Sequence, residues 1–248
     1  MDSLIGIAAT SFLVGLSGAM MPGPVLTITI GETAARLKAG AAEADAKNGA
    51  HTDRTSDARG AGQARGRLAQ ARGAVVGPLI VVGHGILEIL LVAGVVLGLG
   101  KLLVLGPVIG TIGLVGGAVL IWMAWGMFRS VKGLTLQTAA ASGEARQHPV
   151  LAGILTTLSN PYWIVWWATI GLGYIALSMR LGLVGLVSFY VGHILSDLAW
   201  YSSISLTLAM GHRLLTDRVY RGLVAVCASF LLAFGLYFGY AGVRYLLA

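Results

Sequence analysis

Six long apolar segments restrict what this sequence can fold into. Each reaches or exceeds the ~20 residues that an α-helix needs to cross the hydrocarbon of a bilayer. The chain has 248 residues, of which 56% are hydrophobic and 11% charged, and so few charges could not cover a soluble domain of this size. We therefore predict an all-α integral membrane protein with six transmembrane helices, at residues 4–30, 74–100, 103–128, 150–179, 181–210 and 219–247.

The first apolar segment is expected to be retained as a helix rather than removed as a signal peptide. Its start carries Asp2 and no lysine or arginine. It also extends well past the length of a signal-peptide core. We therefore count it as the first transmembrane helix.

The basic residues are distributed as in a membrane protein. The net charge is +7, yet 14 of the 17 lysines and arginines lie in the loops that follow the first, third and fifth segments. Lys101, Arg180 and Arg244 are the other three. By the positive-inside rule those loops are cytoplasmic and both termini lie outside. The basic charge thus indicates orientation, and we expect no nucleic-acid partner.

Residues 37–73 differ from the rest of the chain. They are rich in alanine, glycine and arginine and contain no aromatic residue, so they offer little for a core to hold. We expect a mobile cytoplasmic insert, helical near its start, in which arginines either contact lipid headgroups or are simply solvated. A polar linker at 129–148 then separates a first three-helix half, 1–128, from a second, 149–248.

Prolines interrupt the first helix of each half, at Pro22-Gly23-Pro24 and at Asn160-Pro161. Proline suits the first position of a helix, so Asn160 can cap a half-helix that begins at Pro161, and Gly23 can do the same ahead of Pro24. Each break then places free N–H groups and partial positive charge inside the membrane. Because such ends attract carboxylates, we predict that these five residues bind substrate. A simple proline kink is the alternative.

A histidine and a carboxylate follow each break in the same order. His84 and Glu88 lie four residues apart in the second segment, as do His193 and Asp197 in the fifth. A broken helix followed by such a pair therefore occurs twice. Since each half has an odd number of spans, the second must be inserted upside down, which predicts two inverted 3+3 repeats of the secondary-transporter type.

Glu88 and Asp197 are the only acids well inside an apolar segment. An aspartate at the centre of a span costs ~2.5–3.5 kcal/mol and usually faces a pathway or a partner. A histidine one turn away can share its proton or orient it. We therefore predict that His84, Glu88, His193 and Asp197 couple transport to an ion. A hydrogen bond that only packs helices is the alternative for each pair.

Three stretches resemble the LysE family of amino-acid exporters: MMPGPVLTITIGETAARL, LSNPYWIVWWATIG and GHILSDLAWY. The resemblance implies a six-helix protein of the prokaryotic inner membrane that exports amino acids or similar small metabolites, driven by the proton or sodium gradient. The family's motif positions correspond to Pro22, Gly23, Pro24, Asn160, Pro161 and Asp197. The insert at 37–73 departs from the family's short first loop and leaves the gating of that loop open.

These features suggest an antiport cycle. The carboxylate of an amino acid would bind the half-helix N-termini after Pro24 and Pro161, while its ammonium group approaches Glu88 or Asp197. A proton from outside would then neutralise that acid and release the substrate.

Two other functions are compatible with the sequence. The two imidazoles and two carboxylates of the pairs could supply four ligands in an exporter of divalent metal ions. Gly15-Leu16-Ser17-Gly18 has the nucleophile pattern of intramembrane serine proteases, with Ser17 as the nucleophile. That pattern is weak in a chain with 36 glycines. We therefore predict a transporter, not an enzyme, without a bound metal or cofactor.

Small side chains in the apolar segments are expected to serve helix packing. Cys227 is the only cysteine, which excludes a disulfide within the chain and a dithiol mechanism. Glycine faces allow helices to approach closely, by default within the chain but with a homodimer as the alternative. These faces comprise Gly106, Gly110, Gly113, Gly117, Gly235 and Gly239.

Overall fold

The computed structural model describes residues 3–20, 23–49, 56–99, 105–135, 148–210 and 216–247. The regular structure of these residues is entirely helical, so the all-α prediction is confirmed. The helices are α1 Leu4–Ala19, α2 Pro24–Gly49, α3 Ser56–Ala74, α4 Val76–Gly94, α5 Gly106–Ser130, α6 Pro149–Leu158, α7 Pro161–Trp166, α8 Leu172–Ser178, α9 Gly182–Met210 and α10 Asp217–Leu247. Short π-helical turns follow α4 at Val95–Leu99 and α7 at Trp167–Gly171.

The helix starts and ends follow local sequence rules. Ser3 caps α1, because its hydroxyl accepts the N–H of Gly6 over 3.1 Å. Pro107 and Pro149 stand in the first turns of α5 and α6, where a missing N–H is harmless. Gly182 separates α8 from α9 with a φ of 67°, a left-handed conformation that favours glycine.

Four helical stretches of the described residues are long and apolar enough to cross a membrane, and the bent pair α1 and α2 is a fifth. By helix length and composition, the described residues therefore provide at most five of the six predicted spans. The fourth apolar segment is the one that differs, because the break at Asn160 leaves α6 with 10 residues, about half of the ~20 that a span needs. The four stretches are Gln63–Gly98, Gly106–Gly133, Leu172–Met210 and Asp217–Leu247.

The first helix of each half packs against a helix of the other half. α1 lies along α9, and α6 lies along α4. Glycines permit both close crossings: a Cβ at Gly192 would collide with the carbonyl of Ala8, and one at Gly83 with the carbonyl of Val150. Each of these glycines directly precedes the histidine of a predicted pair. The helix crossings therefore fix the positions of both histidines.

The helices α5 and α10 form a third pair. A Cβ at Gly117 would lie 2.6 Å from the carbonyl oxygen of Gly235, and one at Gly113 would lie 3.0 Å from that of Phe238. The glycine faces thus pack against each other within the chain, as the default interpretation predicted. The homodimer alternative stays a prediction.

The segment predicted as an insert is helical where the structure describes it. Residues 37–49 continue α2, in line with the expected helical start, whereas the helix at 56–73 was not predicted. Alanine and arginine are strong helix formers, and Gly40 lets α3 approach α2 at Ala69. A helix therefore forms here without a large apolar face. The mobility of this insert stays a prediction, and most of the 129–148 linker lies outside the described residues.

Cys227 packs in the core that joins the two halves. It is 2% exposed and lies in a cluster of buried side chains from α2, α4, α9 and α10. The predicted packing role agrees with this position.

Candidate functional site

A cavity of about 50 Å³ lies between the two helix breaks. This volume holds several water molecules, since one water needs about 10–15 Å³. Both half-helix starts and both histidine–carboxylate pairs border it, so the structure brings together residues that are far apart in sequence. Among its lining residues are Gly23, Val25, Asn160, Tyr162, His84, Glu88, His193 and Asp197.

The first break turns the chain sharply. The axes of α1 and α2 differ by 73°. Gly23 lies at the N-cap position of α2, because its carbonyl accepts the N–H of Thr27 over 3.1 Å, and Pro24 is the first helical residue. Pro24 is half-buried and Pro22 lies outside the described residues.

The second break has the predicted asparagine cap. Asn160 Oδ1 accepts the N–H of Tyr162 over 3.2 Å, and the Asn160 carbonyl accepts that of Trp163 over 3.1 Å. Pro161 is the first residue of α7. Both breaks therefore begin a new helix at the cavity. The binding role of these residues stays a prediction.

Glu88 is the centre of the polar cluster, with 1% of its surface exposed. Its Oε1 accepts the indole N–H of Trp167 over 3.1 Å and that of Trp163 over 3.3 Å. The Nε2 atoms of His84 and His193 lie 3.0 Å and 3.1 Å from the same oxygen. Side chains from α4, from α9 and from the segment that begins with α7 thus converge on one carboxylate oxygen.

Asp197 is buried beside the same imidazoles but is held more loosely. Its Oδ2 lies 3.7 Å from Nε2 of His84 and 3.8 Å from Nε2 of His193, too far for hydrogen bonds. This oxygen has no hydrogen-bond partner, and Oε2 of Glu88 has none either. The cluster therefore contains buried acceptor positions that remain open to a cation or an N–H donor.

Aromatic rings enclose His193. The Trp166 indole stacks on the imidazole, with ring centroids 4.8 Å apart, and Trp167 meets it edge-on at 5.3 Å. Phe189 stacks at 6.1 Å. The second half-helix thus supplies both hydrogen bonds to Glu88 and a wall against the histidine.

The sequence analysis missed Thr157, and it did not predict the hydrogen bonds that Trp163 and Trp167 donate to Glu88. Thr157 hydrogen-bonds to His84. The spacing of the two tryptophans, four residues apart on one helical face, was the available signal. Thr157 gave none, because its contact depends on which face of α6 meets α4.

Ser17 lies away from this cluster. Its side chain is exposed, and its hydroxyl donates to the Val14 carbonyl of its own helix over 2.6 Å. The imidazoles of His84 and His193 face Glu88 instead. The structure therefore gives Ser17 no catalytic histidine among the cluster residues.

Buried acids beside broken helices that line a common cavity are typical of membrane transporters. Residues 67–242 match the family described as LysE type translocator, so the chain belongs to this family and the resemblance is confirmed. A curated relative, "Putative amino acid efflux protein YcgF" of Bacillus subtilis (strain 168), is 32% identical over 97 residues. That match covers 39% of this chain and 46% of the relative, less than half of the relative's length. No solved structure matches the chain.

Proposed function

We propose that this protein is a secondary transporter that exports amino acids or similar small metabolites from the cytoplasm by proton antiport. The family and the name of the relative support an exporter. The observation that carries the proposal is one cavity bordered by two half-helix starts and by two carboxylates that share two imidazoles. Such a cavity can bind both ends of a zwitterion and a coupling ion.

The half-helix starts are the binding place for the substrate carboxylate. Gly23 precedes α2, whose first N–H groups have no partner within the helix. At the start of α7 the N–H groups of Tyr162 and Trp163 are bonded to Asn160, so this end would attract a carboxylate only through its partial positive charge. Both Gly23 and Asn160 line the cavity. The substrate ammonium group binds Asp197, because Oδ2 of Asp197 has no hydrogen-bond partner whereas Oε1 of Glu88 already accepts two indole N–H groups.

Proton binding drives release. A proton that reaches Asp197 from outside removes the negative charge that holds the ammonium group, and the substrate leaves. The proton then passes inward when the site reopens to the cytoplasm. His84 and His193 lie within 3.0–3.8 Å of both carboxylates and can relay it between them. Sodium is the other ion that could take this coupling role.

The fold supports a six-helix inverted repeat. α1 packs on α9 and α6 packs on α4, the exchange that a two-fold axis between the halves would produce. Ala8 meets Gly192 as Val150 meets Gly83, each glycine just before a histidine. We place the protein in the prokaryotic inner membrane with both termini outside, on the basis of its basic loops.

Efflux from proteoliposomes tests the proposal. Purified protein loaded with labelled amino acid should release it faster when a proton gradient is imposed. Asp197→Asn should abolish this gradient-driven efflux, whereas Ser17→Ala, which changes an exposed hydroxyl, should not affect it. Undiminished efflux by Asp197→Asn would remove Asp197 from the coupling role.

Export of a divalent metal ion is the second candidate. One ligand atom from each of His84, Glu88 and Asp197 lies within 4.8 Å of the others. Nitrogen–oxygen distances of 3.0–3.8 Å in the cluster are close to the edge of about 3.3 Å in a tetrahedral zinc site. The two indole N–H groups on Glu88 count against it, since they occupy lone pairs that a metal ligand would use.

Competition in the same flux assay separates the two candidates. Unlabelled amino acids, amines and divalent metals are added in turn to the efflux reaction. Inhibition by amino acids alone supports the first candidate. Inhibition by a metal, together with thermal stabilisation of the purified protein by that metal, would replace it with the second.

A further inference from the structure

The imidazole of His84 is contacted at both ring nitrogens. Its Nδ1 lies 2.8 Å from Oγ1 of Thr157, and its Nε2 lies 3.0 Å from Oε1 of Glu88. Thr157 belongs to α6 and His84 to α4, so the first contact crosses the interface between these two helices. All three side chains are buried.

The Thr157 hydroxyl determines which nitrogen of His84 carries a proton. Its Oγ1 donates to the carbonyl of Gly153 over 2.7 Å, and a carbonyl can only accept. A hydroxyl has one proton, so Thr157 cannot also donate to His84. The 2.8 Å contact is therefore a hydrogen bond in which Nδ1–H of His84 is the donor.

His193 lacks such a partner. Its Nδ1 is buried without a hydrogen bond. Gly15 of α1 lies beside it, and a Cβ there would come within 2.8 Å of Nδ1, so no hydroxyl side chain fits. Gly15 stands seven residues after Ala8, just as Thr157 stands seven after Val150. Equivalent positions of the two halves thus hold a hydroxyl at one histidine and nothing at the other.

We infer that Thr157 is a positioning residue that keeps His84 in the Nδ1–H form, so that Nε2 alone accepts the coupling cation between Glu88 and Asp197. His193 keeps the use of either tautomer. The two histidines therefore differ in role. His84 always presents Nε2 as the acceptor, whereas His193 can present either ring nitrogen. This inference rests on the proposed function only in assigning the cation to a transport cycle.

The inference requires that Nε2 of His84 reach both acids, and it does. Glu88 Oε1 is 3.0 Å away and Asp197 Oδ2 is 3.7 Å away. An orienting hydrogen bond on the opposite ring nitrogen is the usual way in which proteins fix an imidazole for binding, and loss of such a partner typically costs about 10–100-fold in affinity or activity.

Three variants test the role of Thr157. Thr157→Val keeps the shape but removes the hydroxyl, and Thr157→Ser restores it. Thr111→Val is the matched control, because Thr111 is an exposed residue of α5 whose hydroxyl donates to the carbonyl four residues earlier over 2.8 Å. We expect about tenfold slower gradient-driven efflux for Thr157→Val and near-normal rates for the other two. A Thr157→Ser variant as slow as Thr157→Val would overturn the inference, since only the methyl group would then matter.

A spectroscopic measurement tests the tautomer without any transport assay. In protein labelled with ¹⁵N-histidine, the signal assigned to His84 by its loss in His84→Asn should show a protonated Nδ1. In Thr157→Val it should become a mixture of tautomers. An unchanged signal contradicts the inference, even if efflux is slow. Absence of amino-acid efflux in the unmodified protein, with the tautomer as expected, would instead contradict the proposed function alone.

Discussion

Gly171 lies directly against the indole of Trp167, where a Cβ would come within 3.0 Å of Cδ2 and 3.1 Å of Cζ3. Trp167 is fully buried, and its N–H binds Glu88. The ring can take this position only because residue 171 has no side chain. Gly171 ends the π-helical turn that carries Trp167, a type of turn that is frequent at functional sites.

Gly171→Ala should therefore displace Trp167 from Glu88 and slow efflux. Because a small displacement of a group that orients a binding residue can greatly slow function, we expect the efflux rate to fall about tenfold. Gly173→Ala is the matched control, since a Cβ at Gly173 has no neighbour within 4 Å. Efflux rate and tryptophan fluorescence measure the effect. Equal efflux rates of the two alanine variants would show that the contact between Gly171 and Trp167 does not affect transport.

Glu88→Gln and Asp197→Asn should differ in what they damage. Glu88 accepts two indole N–H groups and contacts two imidazoles, and hydrogen bonds to a charged group contribute about 1.5–3 kcal/mol each. Glu88→Gln should therefore lower the thermal stability of the purified protein. Asp197→Asn should leave stability nearly intact, since Oδ2 makes no hydrogen bond, while coupling is lost. Equal loss of stability in both variants would contradict this division.

Gly117→Ala should destabilise the pair formed by α5 and α10. Its Cβ would lie 2.6 Å from the Gly235 carbonyl and 2.7 Å from the Gly239 nitrogen, and overpacking of this kind costs about 1–3 kcal/mol. Gly126→Ala, on the same helix, has no neighbour within 4 Å and serves as the control. Thermal unfolding in detergent provides the measurement. A Gly117→Ala protein of normal stability but altered oligomeric state would mean that this face joins two copies.

Cysteine labelling should report the proposed orientation. A membrane-impermeant maleimide added to intact cells should label Ser3→Cys, at the terminus proposed to lie outside, but not Arg67→Cys, which replaces an exposed residue of α3 in the loop proposed to be cytoplasmic. Cys227 provides the internal reference, because a residue that is 2% exposed should stay unlabelled in both variants. Labelling of Arg67→Cys alone would contradict the proposed orientation and indicate the opposite one.

The sequence predicted the helix breaks and the ionisable residues because these features are local. Asn160 and Gly23 cap the helices that begin at the prolines next to them. The spacing of four residues puts each histidine beside its acid. The repeated order of residue types predicted one site where the two breaks meet, but it did not predict that both imidazoles lie beside Oε1 of Glu88.

Other features depend on how helices rotate against each other, and a single sequence does not reveal that. Thr157 looks like any polar residue of a short apolar helix until α6 is placed on α4. Glu32 falls just beyond the apolar segment that was assigned to 4–30, yet it is 3% exposed because α2 continues into the packed interior. The helix α3 was missed because its composition lacks the apolar periodicity on which the prediction relied.

The exchange of helix partners between the halves also bears on how the chain is made. α1 packs on α9, which begins only at Gly182, so the ribosome must complete most of the protein before α1 meets its neighbour. Until then the Ser11 hydroxyl, which in the finished protein donates to the Phe189 carbonyl, has no such acceptor. The packing of α1 on α9 therefore forms late in synthesis, and a nascent chain cut short before α9 would leave this face of its first helix uncovered.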